Sequence, residues 1–531
     1  MLKSKFIFVT GGVLSSLGKG ILASSIAKIL KHKDGHNASL MKIDPYLNCD
    51  AGTLNPFEHG EVFVTQDGHE CDLDLGNYER FTDVFAIKDQ NLMMGQIYRS
   101  LVEKERTGEY LGKTVQLIPH ATNEIKKRIR QCAEKTKCEI LVVEIGGTVG
   151  DIESEIVLEA ARQMKYEDSE NVLFVHLALV PTIITGEEKT KPMQHSVRAL
   201  QARGITPDLL IGRTTNHLEE NSKKKIAMQC SVNESDIYFS PNVQTIYRLP
   251  LTLEAQGIDK ALCNKFKLTT SNGEKFQEWK TLVEKLENCR DEINIGVVGK
   301  YATIRDAYTS VFEALTHAGV HNNVKVNGHL IDATSVEQDK INLGKFNGFV
   351  IPGGFGGRAI EGKIKAIQFA RENNKPLLGI CYGFQLTVVE IARNVLGWID
   401  ANTTEINEKT THPVIDLLPE QKMVVNKGAT MRLGVKKILV KKPSIAYDIY
   451  KTEVLNKRFR HRWEMNPIYV NEMQDAGVIF SATDETGNIN KVLELKNHPF
   501  LFGVQYHPEF DSRLEKPEES FAKLIEASKK C

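Results

Sequence analysis

No two cysteines in this chain form a C-x-x-C pair, although there are nine of them. That argues against a zinc ribbon or a dithiol redox motif, and the odd count argues against a closed disulfide framework. Charge of one sign is also lacking. Lys+Arg and Asp+Glu each number 68, so the net charge is zero. Broad attraction to nucleic acid or to a membrane surface is therefore not indicated, and any anion site must be local. Long hydrophobic runs are missing too. Apolar stretches such as VLFVHLALV at 172–180 fall well short of a membrane span, and the start, MLKSKFIFVTGG, has too short an apolar run for a signal peptide. There is no low-complexity tract and no fixed-period repeat. A reducing, cytoplasmic setting is expected.

At 531 residues the chain is too long for one core, so two large domains are expected. In the first half, continuous apolar runs alternate with helical patterns. Phe6–Thr10, Ser39–Ile43, Ile140–Ile145 and Val172–Val180 read as strands, and Ile21–Leu30 as a helix. This is the signature of a parallel sheet covered on both faces. From Thr269 to Arg290 the sequence TTSNGEKFQEWKTLVEKLENCR opens with turn residues and continues as an amphipathic helix, which reads as a linker. A new strand begins at Ile293, and the alternation then repeats through GFVIPGG, a helix near Ile364–Asn373, PLLGIC and a second helix. The expected fold class is α/β, with two doubly wound domains: a P-loop-like domain over 1–268, a linker over 269–291, and a second domain over 292–531.

The loop GGVLSSLGKG follows the first strand. It resembles a Walker A loop, but five residues separate Gly12 from Gly18, and Gly20 stands where Ser or Thr is usual. Glycines let backbone N–H groups approach an anion, the following helix N-terminus adds positive partial charge, and Lys19 can neutralise a phosphate. Without a hydroxyl at position 20, magnesium must be held elsewhere, and Asp74 and Glu144 are the candidates. Glu144 sits near the end of a predicted parallel strand, the edge where such sheets bind ligands. Lys42, Lys189 with Lys191 in KTKPMQ, and Lys223–Lys225 are basic patches able to grip a second triphosphate, although Lys223 and Lys224 read better as a solvated helix face.

PLLGICYGFQL predicts a strand, a sharp turn at Cys381 and a helix, which is a nucleophile elbow with sulfur in place of oxygen. The helix N-terminus favours a thiolate there. His507 and Glu509 in VQYHPEF lie two apart, so an extended segment points both the same way. His507 can take the thiol proton and Glu509 can orient the imidazole. IPGGFGG offers N–H groups near Gly354 for the oxyanion of a tetrahedral intermediate. One half can thus spend a nucleoside triphosphate while the other makes a thiolate attack an amide.

Together TGGVLSSLGKG, MKIDPYLN, GEVFVTQDG, DLDLGNYERF, EIGGTVGDIES, KTKPMQHSV, PGGFGG, GICYGFQ, DANTTE, GATMRLG and HRWEMNP resemble the CTP synthase family over nearly the whole chain. Members fuse an amidoligase to a class I glutamine amidotransferase. The resemblance implies that ATP phosphorylates O4 of UTP and that ammonia from glutamine displaces the phosphate, giving CTP, ADP, phosphate and glutamate. It implies ATP at Ser16, Leu17, Gly18, Lys19, Gly20, Ile21 and Asp74, with Mg2+ on Asp74 and Glu144. It implies UTP, or CTP as feedback inhibitor, at Ser15, Lys42, Asp151, Ile152, Glu153, Lys189, Thr190, Lys191, Gln194 and Lys225. Glutamine would lie on Gly354, Tyr382, Gln385, Glu405 and Arg462 around Cys381. The family also implies GTP as an activator, at Phe355 and Arg358, and homotetramers that can form filaments. Ammonia passing from one domain to the other calls for an internal passage. Gly357 and Ala359 depart from the usual pattern near the GTP positions, and Met193 replaces a usual Thr beside the uridine nucleotide.

Two other readings share these motifs. An amidoligase acting on a carboxylate, as in cobyrinic acid amidation, has the same loop and elbow but little use for the KTKPMQ clamp. A filament-forming scaffold derived from a nucleotide-switch ATPase would polymerise with Cys381 blocked and turn nothing over.

Overall fold

The computed structural model describes residues 4–52, 54–55, 59–300, 304–417, 421 and 431–531. Gly428–Thr430 of the GATMRLG segment lie outside the described residues. The chain divides into two compact units, one of Met1–Cys49 with Asn77–Val283 and the other of Asp50–Gly76 with Glu284–Cys531.

In the first unit seven strands form one parallel sheet: β1 (Lys5–Gly11), β2 (Ala38–Asp44), β3 (Asn91–Met93), β4 (Ile140–Ile145), β5 (Val172–Leu179), β6 (Leu209–Arg213) and β7 (Ile237–Ser240). Their order is β3-β2-β4-β1-β5-β6-β7. Burial explains the composition: every residue of β4 and of β2 is buried, as a sheet covered on both faces requires. The chain builds one side of β1, returns to β4 beside it, then builds the other side. The carboxyl ends of β1, β4 and β5 therefore flank a topological switch, the usual ligand crevice of such sheets.

Helix α1 (Lys19–Lys28) leaves β1 through the glycine-rich loop and runs on into a π-helical turn at Ile29–Lys33. Helix α2 (Lys191–Gln201) begins inside KTKPMQ with proline in its first turn. The expected linker contains helix α3 (Glu274–Asn288), whose apolar stripe of Phe276, Trp279 and Val283 is buried. Trp279 Nε1 donates to Tyr247 O at 2.9 Å, and Lys28 Nζ stands 3.7 Å from the indole centre. Up to Val283 this segment is therefore docked on the first unit, with a tryptophan as its anchor.

The second unit holds a nine-stranded sheet: β8 (Glu292–Gly299), β9 (Lys325–Asp332), β10 (Gly348–Ile351), β11 (Leu377–Ile380), β12 (Arg432–Val440), β13 (Val454–His461), β14 (Val478–Asp484), β15 (Asn490–Leu495) and β16 (Leu501–Val504). The order is β9-β8-β10-β11-β16-β15-β14-β12-β13. The half from β9 to β16 is parallel, and the rest is an antiparallel extension. Helices α4 (Ile360–Glu372) and α5 (Tyr382–Asn394) follow β10 and β11.

Residues 50–76 come from the N-terminal part of the sequence yet pack in this unit. Their short hairpin, Phe63–Val64 with Glu70–Cys71, is tied to β13. Arg458 Nη1 donates to Val64 O at 3.1 Å, and Arg460 Nε to Glu70 Oε1 at 2.7 Å. Arg458 is fully buried and also donates to Phe510 O at 2.6 Å and to Asp511 Oδ1 at 2.9 Å. It thus joins the hairpin to the turn that carries His507 and Glu509. Arg458→Met is expected to destabilise this unit by about 3–5 kcal/mol, because it leaves buried acceptors without their donor. Urea unfolding followed by tryptophan fluorescence measures this; a loss below about 1 kcal/mol contradicts the bracing role.

Candidate active site

The β11–α5 connection folds as the glycines and the sulfur position predict. Cys381 adopts φ 52°, ψ −98°, a left-handed strain for a side-chain-bearing residue. The strain is held from both sides. Cys381 N–H donates to Val504 O at 2.7 Å, and Gly383 packs so tightly on β10 that a Cβ there would stand 2.0 Å from Ile351 O. The sulfur ends beside the first turn of α5, whose leading N–H groups have no helical acceptor. Sγ lies 3.6 Å from Arg460 O and 3.7 Å from Gln505 Nε2.

His507 and Glu509 converge on it. His507 Nδ1 and Glu509 Oε1 are 2.7 Å apart, and both residues are buried. His507 also stacks on Phe510, with ring centres 5.0 Å apart. Burial opposes charge on the imidazole, but Glu509 and the Cys381 sulfur outweigh it and raise the histidine to about 10. An imidazolium stands next to the sulfur at neutral pH, ready to return a proton to a leaving nitrogen. A Cβ on Gly353 would lie 3.0 Å from His507 Cε1, so glycine there eases this close approach. A cavity of about 260 Å³ opens on these groups, lined among others by Gly52, Glu61, Lys300, Gly354, Cys381 and His507.

Of the expected glutamine residues, Gly354 lines this cavity and Tyr382 follows Cys381 in the chain. Glu405 Oε1 accepts from Gly356 N–H at 2.7 Å, and burial pushes its carboxyl up against the pull of that N–H and of Lys300. Tyr382 OH donates to Gly356 O at 3.0 Å, and Gln385 Nε2 to Trp463 O at 2.7 Å. Arg462 Nη1 donates to Gln421 Oε1 at 3.2 Å. Glu464, two residues on, is buried and accepts from Arg432 Nη1 at 2.8 Å, from His461 Nε2 at 2.6 Å and from Lys491. That hub fixes the end of β13 just before Arg462. Phe355 faces the Arg460 guanidinium 5.2 Å from its ring centre, and exposed Arg358 donates to Lys300 O at 2.9 Å. Ala359 takes φ 61° at the start of α4, a left-handed position that normally favours glycine.

In the first unit the phosphate loop leaves β1 at Gly11. Ser15 and Ser16 are exposed, Leu17 is buried, and Gly18 takes φ 102° to start α1, whose N-terminus has no side-chain cap. Gly20 is buried and Ile21 half-buried in its first turn. Lys19 Nζ donates to Gly147 O at 2.7 Å, which brings it to the loop after β4. Glu144 is in register with Lys42 on one side and Val9 on the other, and accepts from Tyr78 OH. Lys42 and Glu144 thus stand side by side near the carboxyl edge of β2 and β4, and Lys19 reaches the loop that follows β4. Asp151, Ile152 and Glu153 are exposed on a one-turn helix beyond that loop.

Lys189 bonds Glu187 at 2.6 Å, and the Glu187 carboxyl is held low by Lys189 first and more weakly by Lys225, so the two lysines share a neighbourhood. Lys191 is exposed at the start of α2, and Gln194 Nε2 donates to Thr190 Oγ1 at 2.9 Å, while its buried Oε1 has no partner among the described residues. Met193 is wholly buried in an apolar cluster with Val197 and Ile226. Its side chain fills core. Asp74 opens the helix Asp74–Thr82, in the segment that belongs to the second unit.

Sequence reasoning missed a buried relay beneath the loop. Thr10 Oγ1 and Ser196 Oγ each lie 2.8 Å from a ring nitrogen of His176, which burial, with Lys19 in support, lowers to about 3. The neutral imidazole links β1 to α2. A Cβ on Gly12 would stand 1.5 Å from Ser196 Oγ, so this glycine serves close helix packing.

The comparisons with known proteins cover both units. The family model for the CTP synthase N-terminus matches residues 5–268, and that for class-I glutamine amidotransferase matches 303–527. The CTP synthase of Pyrococcus abyssi is 49% identical over 531 residues, covering 99% of this chain and 98% of that protein. The CTP synthase of Caldivirga maquilingensis is 50% identical over 526 residues, covering 98% of this chain and 96% of that protein. The chain belongs to the CTP synthase family. As a member it is a glutamine-hydrolysing ligase that makes CTP from UTP, with ATP as co-substrate. The carboxylate-amidating alternative is thereby set aside. A solved glutaminase domain of Trypanosoma brucei CTPS with bound acivicin is 34% identical, covering 45% of this chain and 94% of that one, with a TM-score of 0.42. Among the described residues no helix is long and apolar enough to cross a membrane.

Proposed function

We propose that the two units divide one amination between them, with Cys381, His507 and Glu509 supplying ammonia. Cys381 attacks the carboxamide carbon of glutamine. The oxyanion forms against the backbone N–H groups of Gly354 and Tyr382, His507 gives its proton to the departing nitrogen, and ammonia leaves a thioester on the sulfur. Water, deprotonated by His507, adds to the thioester, and its collapse releases glutamate and restores the thiol. Gln385, Glu405 and Arg462 hold the amino acid end of the substrate. The observation that carries this half is the strained Cys381 facing the His507–Glu509 pair in one cavity. That cavity reaches Gly52, Leu54 and Glu61, which supports an enclosed exit for ammonia.

In the other unit the γ-phosphoryl of ATP passes to O4 of UTP. Ammonia then adds to C4 and phosphate leaves, giving CTP. Lys19 and the N-terminus of α1 neutralise phosphate charge, with Ser16–Ile21 around ATP. Lys42, the Lys189–Gln194 segment, Ser15 and Lys225 take the uridine nucleotide, and Asp151–Glu153 take CTP as inhibitor. Glu144, buried at the strand edge beside Lys42, fits a magnesium ligand, with Asp74 as the second candidate. Among the described residues no three His, Cys, Asp or Glu side chains form a metal cage, so the remaining ligands would be phosphate oxygens and water. Bound magnesium would offset triphosphate charge. GTP activation at Phe355 and Arg358, homotetramers, filaments and a cytoplasmic location complete the proposal.

Oxygen-18 at O4 of UTP tests the activation step. The label is expected in inorganic phosphate; label released to water instead rules out the phosphorylated intermediate. Glu509→Gln tests the triad. Without that carboxylate the imidazole loses the largest of the charges that hold its proton and the partner that orients it. Glutaminase turnover is expected to fall by about 10²–10⁴-fold, and a fall below fivefold contradicts the role.

A further inference from the structure

Lys363 lies on the apolar face of α4, between Ile360, Ile364 and Ile367, and is 1% exposed. Among the described residues no carboxylate pairs with it. Its Nζ donates to Pro352 O at 3.2 Å. An ideal Cβ on Gly354 would lie 3.7 Å from the same nitrogen, whereas one on Gly353 would point at His507 and Cys381. The Pro352–Gly353–Gly354 turn therefore has two sides. One faces the sulfur and imidazole, and the other rests on a buried amine. The Tyr382 ring, at the start of α5, covers that amine at 5.6 Å.

An unpaired ammonium in this position is costly to fold, and a leucine or methionine would complete the helix stripe without that cost. A charge kept in such a place points to function. We propose that Lys363 is a positioning residue of glutamine hydrolysis, which pins the turn through Pro352 O and sets its positive charge behind the Gly354 peptide, where the oxyanion forms. The proposal rests on Cys381 being the nucleophile.

The charged and titratable groups that face Lys363 are Lys300, beyond the end of β8, and Cys381 with Tyr382 at the start of α5. Burial pulls the ammonium down to about 7; Lys300 adds to the fall, and Cys381 opposes it. The amine is thus charged below neutrality and loses its proton as pH rises through about 7. Negative charge on the substrate oxygen is stabilised only by the protonated form, so its contribution fades in that window.

The test is the pH profile of glutaminase turnover between pH 6 and 9 for the full chain and for K363M and K363R. Each rate is divided by CTP formation from ammonium in the same preparation, which removes losses due to misfolding. The unmodified protein is expected to show a downward step of about tenfold centred near pH 7. K363M is expected to lack the step and to run at the lower level throughout. K363R, which keeps its charge, is expected to hold the higher level up to pH 9. A K363M profile that superimposes on that of the unmodified protein overturns the proposal, as does an unmodified protein without the step. If Cys381→Ala leaves glutaminase intact, the nucleophile assignment fails instead, so the two failures are distinguishable.

Discussion

Cys381→Ala is expected to reduce glutamine-dependent CTP formation by more than about 10⁴-fold, the scale seen when a nucleophile is removed from a triad. CTP formation from ammonium salt is expected to persist. The expectation follows from the packing as much as from the sulfur. The elbow is held by Val504 O and by the Gly383 contact with β10, neither of which involves the side chain, so alanine leaves the fold in place. Coupled assays with glutamine and with ammonium, run on one preparation, measure both rates. Loss of the ammonium reaction as well would mean that the halves are not separately competent, and the division of labour proposed here would be wrong.

Lys19→Met has the complementary effect. CTP formation from either nitrogen source is expected to fall by about 10²–10³-fold, while basal glutamine hydrolysis continues. The lysine stem packs over Gly11, where a Cβ would meet Lys19 Cδ at 2.8 Å, and methionine preserves that stem. Only the charge beside the loop after β4 is removed. A K19M enzyme that aminates UTP from ammonium at the unmodified rate would place the phosphoryl site elsewhere.

The parallel strands were legible because continuous apolar runs leave little choice of environment. Ile140–Ile145 appears with the bounds its pattern predicts, and β1, β2 and β5 differ from expectation by one residue at their ends. Helix α1 was expected over Ile21–Leu30 but covers Lys19–Lys28 before a π turn; apolar spacing does not separate i→i+4 from i→i+5 bonding. The convergence of Cys381, His507 and Glu509 could be read because each sits in a local context with its own geometry. The placement of 50–76 with the second unit could not. It depends on Arg458 and Arg460, about 390 residues away along the chain, and no local pattern carries such pairing. Lys363 did leave a trace, a cation at an apolar position of α4, but only its contact with Pro352 O shows what it faces.

Isotope transfer follows the nitrogen itself from glutamine to the pyrimidine. The protein is supplied with UTP, ATP, magnesium and glutamine labelled with nitrogen-15 in the side-chain amide. Nitrogen-15 is expected at the 4-amino group of CTP, one per glutamate released, and none from the Cys381→Ala variant. Unlabelled CTP formed while labelled glutamine is consumed would contradict this transfer.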